Sequence, residues 1–170
     1  GVDPRVVESM LPYFTEKYGN AASKAHGFGW EAEEAVELAR GQVARVLNAR
    51  PSEILFTSGA TESNNLAIKG LAAIRRHRGH VVSVVTEHRS VLDPIHRLTR
   101  HYPHFHVTWL TPDSQGVLDV EQVSRSLTDR TILVSVMTAN NEIGTIQSIP
   151  EIGRECRRRG VLFHTDATQA

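Results

Sequence analysis

From about residue 53 onwards, short runs rich in Val, Ile and Thr alternate with longer segments of helical period, and few architectures accept that alternation. The runs at 53–57, 80–85, 104–110, 131–137 and 161–164 predict strands. The segments at 61–76, 91–101, 119–127 and 150–159 predict helices. Ile132-Leu133-Val134-Ser135-Val136 has almost no polar interruption, which suits a strand buried on both faces. Strands that alternate with helices predict an α/β fold with a mostly parallel sheet. Ahead of this region the chain predicts two helices. The first is capped by Asp3, with Pro4 in its first turn and Val6, Val7, Met10, Leu11 and Phe14 at helical spacing, and Gly19-Asn20 stops it. The second covers 30–47, with Ala32, Val36, Ala39, Val43, Val46 and Leu47 on its apolar side, and Pro51-Ser52 ends it. No repeat, low-complexity tract or linker interrupts the chain, so 1–170 reads as one domain or a large piece of one.

Charge and cysteine content narrow the function. Lys plus Arg equals Asp plus Glu at 19 each, which argues against a nucleic-acid or membrane partner recruited by charge. The run Arg157-Arg158-Arg159 reads as a solvated helix end that complements the helix dipole. One cysteine, Cys156, excludes an internal disulfide and a multi-cysteine metal site. Spaced four residues from Ile152, it shares a helix face with an apolar residue and reads as buried and structural. His101, His104 and His106 cluster without a nearby carboxylate or thiol, so no metal site is assigned.

In parallel α/β sheets ligands sit beyond the carboxyl ends of the strands. Four polar segments fall at such ends. Thr57-Ser58-Gly59-Ala60-Thr61-Glu62-Ser63-Asn64-Asn65 is a small-residue turn entering a helix, which suits a phosphate on unpaired N–H groups or an ordinary N-cap by Ser58 or Thr61. No Gly-Lys-Ser/Thr follows, so it is not a Walker loop. Thr86-Glu87-His88 presents a histidine able to act as acid, base or stacking ring, or simply a surface residue among nine histidines. Thr138-Ala139-Asn140-Asn141-Glu142-Ile143-Gly144 offers paired amides for orienting a ligand, or a polar turn. His164-Thr165-Asp166-Ala167-Thr168-Gln169 puts a carboxylate at the end of a buried strand, where it needs a protonated ring nitrogen, an arginine or a backbone cap.

In this order the four segments resemble the cysteine desulfurases of the class V aminotransferase fold, most closely the housekeeping branch that serves iron–sulfur cluster assembly. Gly19-Asn20 and His26-Gly27-Phe28-Gly29-Trp30-Glu31-Ala32-Glu33 match the same branch, so the resemblance covers essentially the whole chain. It implies the three-layer large domain of aspartate aminotransferase-like pyridoxal 5'-phosphate (PLP) transferases, here incomplete and without the small carboxyl-terminal domain. It implies PLP as cofactor. Ala60 and Thr61 would hold the phosphate, His88 would stack on the ring and act in catalysis, and Asp166 would pair with the ring nitrogen. Gln169 would reach the phenolic oxygen, with Asn141 near that oxygen and the substrate carboxylate.

The implied activity releases sulfur from L-cysteine as an enzyme persulfide and leaves L-alanine. The implied partners are L-cysteine, a sulfur-acceptor or scaffold protein and a second copy of the chain. The implied location is the cytoplasm, or the mitochondrion if a leader has been removed. A selenocysteine lyase or another class V aminotransferase is the nearest alternative. A non-catalytic fragment or half of a split enzyme, acting as an assembly partner, is the alternative of a different class. The family's Schiff-base lysine and its persulfide cysteine are expected beyond Gln169, so the isolated chain is expected to be inactive and to expose apolar surface. Lys17, Lys24 and Lys69 all read as solvated.

Overall fold

The computed structural model describes residues 1–170 and divides them into two compact units, residues 1–56 and 57–170. In the first unit, α1 spans Pro4–Thr15 and α2 spans Gly27–Val46. Asp3 caps α1 by accepting from the Arg5 N–H at 2.9 Å. The turn between these helices is tight. A Cβ on Gly19 would lie 1.9 Å from the Phe28 carbonyl oxygen, and one on Gly29 would lie 2.0 Å from that of Ser23. Only glycine permits both approaches. Tyr18 stacks on Phe28, and the Trp30 indole donates to the Lys24 carbonyl at 2.9 Å.

The predicted apolar stripe of α1 exists, but Val6, Val7, Met10, Leu11 and Phe14 are all exposed. On α2, Ala32 is buried, whereas Val46 and Leu47 are exposed. Helical period reveals an apolar face; it does not supply the surface that covers it.

The second unit holds a four-stranded sheet of order β2-β1-β3-β4, parallel throughout. Its elements run α3 (Ala60–Ile74), β1 (Gly79–Val84), α4 (Arg89–His101), β2 (Phe105–Leu110), α5 (Val120–Ser126), β3 (Thr131–Ser135), α6 (Ile149–Arg158) and β4 (Leu162–His164). The expected strand at 53–57 does not form. Residues 51–53 make one 3-10 turn, and Ile54 is extended without a partner in the sheet. A strand needs a ladder as well as an apolar run. The first helix of this unit also stops short of Arg76, because Arg76 and His77 both take left-handed conformations with φ near 53° and 54°.

Alternate residues of each central strand face opposite helix layers. Val82, Val84, Val134 and Val136 pack with Leu118, Val123, Ile152 and Cys156 on the α5/α6 side. Val81 and Leu133 pack with Ile68, Ala72, Val91, Ile95 and Leu98 on the α3/α4 side. The three-layer expectation therefore holds, and the near-continuous apolar character of 132–136 follows from burial on both faces. Cys156 is fully buried, as its helix position predicts. Lys17, Lys24 and Lys69 are exposed, with Lys17 paired to Glu31 and Lys24 to Glu33. No helix is long and apolar enough to cross a membrane.

Candidate functional site

Because all four strands are parallel, the segments after β1, β3 and β4 emerge at one edge of the sheet. Val84, Ser135 and His164 end those strands, and Ser135 pairs with both Ser83 and His164 in the ladder. The amino end of α3 reaches the same edge. A cavity of about 140 Å³ there is lined by Ala60, His88, Met137, Ala139, Asn141, Asp166, Thr168 and Gln169. Five of the six residues singled out from sequence thus share one cavity. The sixth, Thr61, lines an adjoining groove that shares His88 with it.

The α3 terminus is built differently from most others in the chain. Asp3, His26, His88 and Asp119 each cap a helix by accepting from a backbone N–H of its first turn. The N-cap of α3 is Gly59, which has no side chain to offer. Neither Ser58 nor Thr61 takes that role. Ser58 instead donates its N–H and its hydroxyl to Glu62 Oε2, both at 2.7 Å. The N–H groups of the first turn, at Ala60 and Thr61, are left for something else.

Asp166 is 9% exposed, and its carboxylate is gripped on both oxygens. Thr168 donates its hydroxyl to Oδ1 at 2.6 Å and its N–H at 3.0 Å. Asn64 donates to Oδ2 at 2.8 Å. Burial pushes the Asp166 carboxyl upward. Hydrogen bonds from Thr168 and Asn64 and the nearby His164 outweigh that, and the carboxyl sits below its ordinary value. The group is therefore a held anion facing the cavity.

Asn64 connects this anion to the histidine. Its second amide hydrogen goes to Ser90 Oγ at 2.9 Å, and Ser90 Oγ contacts His88 Nδ1 at 2.8 Å. The Ser90 backbone N–H donates to Nδ1 at 3.1 Å, which makes Nδ1 an acceptor, so the Ser90 hydroxyl hydrogen points to Nδ1. With Nδ1 occupied as an acceptor, the neutral His88 ring carries its hydrogen on Nε2.

The two asparagines after β3 have separate tasks. Asn140 donates to the Thr86 carbonyl at 3.1 Å and accepts from the N–H groups of Glu142 and Ile143, so it builds the turn. Asn141 is exposed and lines the cavity. Glu87, one residue before the histidine, is 5% exposed and accepts from the Met137 N–H through Oε1. Sequence inspection did not single out Asn64, Glu87, Ser90 or Thr168. Asn64, Glu87 and Thr168 stand inside the motifs quoted above, yet nothing local distinguishes a buried, hydrogen-bonded polar side chain from a surface one.

Comparison with known proteins agrees with this geometry. The chain is 55% identical over 170 residues to cysteine desulfurase IscS of Neisseria meningitidis serogroup A and 56% identical to that of Anaeromyxobacter sp. strain K. In both cases 99% of the chain is covered, and it spans 42% of the relative's length. Among solved structures, a NifS-like protein matches with a TM-score of 0.90 at 41% identity, covering 99% of this chain and 46% of that one. DndA from Streptomyces lividans matches with a TM-score of 0.90 at 42% identity, covering 99% and 47%. The aminotransferase class-V pattern runs across residues 2–170, and the chain belongs to that family.

Proposed function

We propose that the cavity holds PLP and that this chain is the cofactor-binding portion of a cysteine desulfurase. The observation that carries this reading is the Asp166 carboxylate, kept ionised by Thr168 and Asn64 within a cavity also lined by His88 and by the uncapped start of α3. The donor set fits the cofactor's chemistry. The free N–H groups at Ala60 and Thr61, with the Thr61 hydroxyl, suit a phosphate. Asp166 suits a protonated ring nitrogen, His88 a ring face, and Gln169 and Asn141 the phenolic oxygen and the substrate carboxylate. When bound, PLP supplies the electron sink for charge that develops at the substrate α-carbon.

What the chain itself does is orient and tune. Asp166 holds the ring nitrogen protonated by offering a fixed anion. The relay Asn64–Ser90–His88 sets the imidazole tautomer, so that Nε2 is the atom that holds or passes a proton. The relatives' name, cysteine desulfurase, supports cysteine as the sulfur donor, and an acceptor or scaffold protein for that sulfur belongs to the same proposal. A homodimer in the cytoplasm belongs to the same proposal; the exposed apolar face of α1 is consistent with a further interface.

Titration with PLP, followed by absorbance and fluorescence, tests the reading. Asp166→Asn and His88→Ala should each weaken binding by about tenfold or more, the loss of one charge-assisted or stacking contact. Equal affinity in wild type and both variants would overturn it. Sulfide and alanine formation from L-cysteine then tests the activity in a protein that joins this chain to the lysine and cysteine expected beyond Gln169; the isolated chain should form neither.

A further inference from the structure

Glu87 plays no part in the function proposed above, yet it is among the most deeply buried ionisable residues in the chain. Its Oε1 accepts from the Met137 N–H, and its Oε2 is buried without a partner. Beside it, Asn140 Nδ2 donates to the Thr86 carbonyl at 3.1 Å. The Thr86–His88 turn and the Met137–Asn141 turn are therefore joined by two hydrogen bonds, both donated from the second turn to the first. His88 and Asn141, which follow directly on these contacts, both line the same cavity. A second cavity, about 490 Å³, lies against the same clasp and is lined by Glu87, Arg89, Asn140 and Glu142 among others.

We propose that Glu87 is a positioning residue that fixes His88 relative to Asn141 by clasping the end of β1 to the end of β3. This rests on the reading of the cavity as a PLP site. The clasp works with Glu87 uncharged. Burial, opposed only by the Met137 hydrogen bond and reinforced by the charge of Asp166, pushes its carboxyl up to about 7. The charged and titratable groups around it are Asp166 from the segment after β4, His88 and Arg89 from its own turn, and Glu142 from the turn after β3. In the neutral acid, Oε1 still accepts from Met137. Ionisation strengthens the Met137 bond but puts a buried, partnerless negative charge on Oε2 near Asp166, and that cost destabilises the folded turn.

The sign follows from linkage. The folded chain holds the Glu87 proton more tightly than the unfolded chain does. Its contribution is fully present below the ordinary carboxyl value of 4.5 and is lost as pH rises through about 7.

The test compares wild type, Glu87→Gln and Glu87→Ala in the full chain. Gln keeps an acceptor for Met137 and cannot ionise. The melting temperature of wild type minus that of Glu87→Gln should fall by about 4 °C or more between pH 5.5 and 8.5. Taking this difference removes the titration of His80 and His164, which both proteins share. At pH 6 Glu87→Gln should bind PLP within about twofold of wild type, and Glu87→Ala about tenfold more weakly, the size of one lost buried hydrogen bond. A melting difference that does not change with pH overturns the neutral clasp. PLP affinity unaltered in Glu87→Ala overturns the positioning role, as does Glu87→Gln binding no better than Glu87→Ala. If wild type binds no PLP, the cofactor reading fails while the melting difference still decides the clasp.

Discussion

Asn64 and Asp166 lie 102 residues apart in sequence and 2.8 Å apart in the fold, joined by an amide hydrogen on a buried carboxylate. The same amide group reaches Ser90 at 2.9 Å, so one side chain at 3% exposure supports both the anion and the histidine of the cavity. Asn64→Ala leaves Asp166 and Ser90 each short of a donor. It should cost roughly 1–3 kcal/mol, read from urea unfolding. Asn64→Asp, which adds a second carboxylate beside Asp166, should cost more than Asn64→Ala at pH 7. Unfolding midpoints equal to wild type in both variants would remove Asn64 from the network.

Cys156 is expected to be chemically silent. Burial and the adjacent Glu155 charge raise its thiol to about 11, so about one molecule in a thousand is ionised at pH 8. In native protein at pH 8, iodoacetamide labelling followed by mass spectrometry should run at least about a hundredfold slower than for a free thiol. Cys156→Ser buries a hydroxyl among Ile152, Val134 and Leu127 and should lose roughly 1–3 kcal/mol. Rapid labelling without unfolding would refute the structural assignment.

His164 is held neutral by its surroundings. Burial depresses its imidazole, the charge of Asp166 offsets part of that effect, and Ser135 Oγ lies 2.9 Å from Nδ1. Its contribution is present above the ordinary value of 6.5 and is lost as pH falls below it. Relative to His164→Gln, wild type should therefore lose melting temperature between pH 7.5 and 5.5, the reverse of the trend expected for Glu87. Asp166, whose carboxyl is lowered, loses its contribution only at more acid pH, as pH falls below 3.8. A wild-type minus His164→Gln difference that stays constant over this range would count against a neutral buried His164.

The α1–α2 turn should tolerate no side chain at Gly29. A methyl group there meets the Ser23 carbonyl at 2.0 Å, so backbone must move. Gly29→Ala should cost more than about 2 kcal/mol, although alanine favours helices by about 1 kcal/mol in open sites such as Gly41, where nothing lies within 4 Å. Hydrogen exchange should show lost protection over residues 18–30 and little change in the sheet. Stabilisation by Gly29→Ala would show that the close approach is absent.

Much of the architecture was legible from local pattern, because period and punctuation are local properties. The Val- and Ile-rich runs at 80–85 and 131–137 announced strands buried on both sides, and the polar residues after them marked the edge where the cavity lies. The resemblance to the cysteine desulfurases, rather than local pattern, picked out Ala60, His88, Asn141, Asp166 and Gln169 within those segments, and all five line the cavity. The run at 53–57 misled because pairing requires a neighbour in space, whereas the exposed apolar face of α1 agrees with the expectation of exposed apolar surface.

The sequence by itself determined the α/β alternation, the parallel sheet and the strand-end location of the cavity. Only the tertiary structure decided that Asn64 ties Asp166 to Ser90 and His88, that Glu87 reaches Met137, and that Asn140 builds the turn while Asn141 lines the cavity. The physical reason is range. Hydrophobic period acts over a few residues of chain, whereas the bonding and titration of a buried polar group depend on partners that only folding brings within 3 Å.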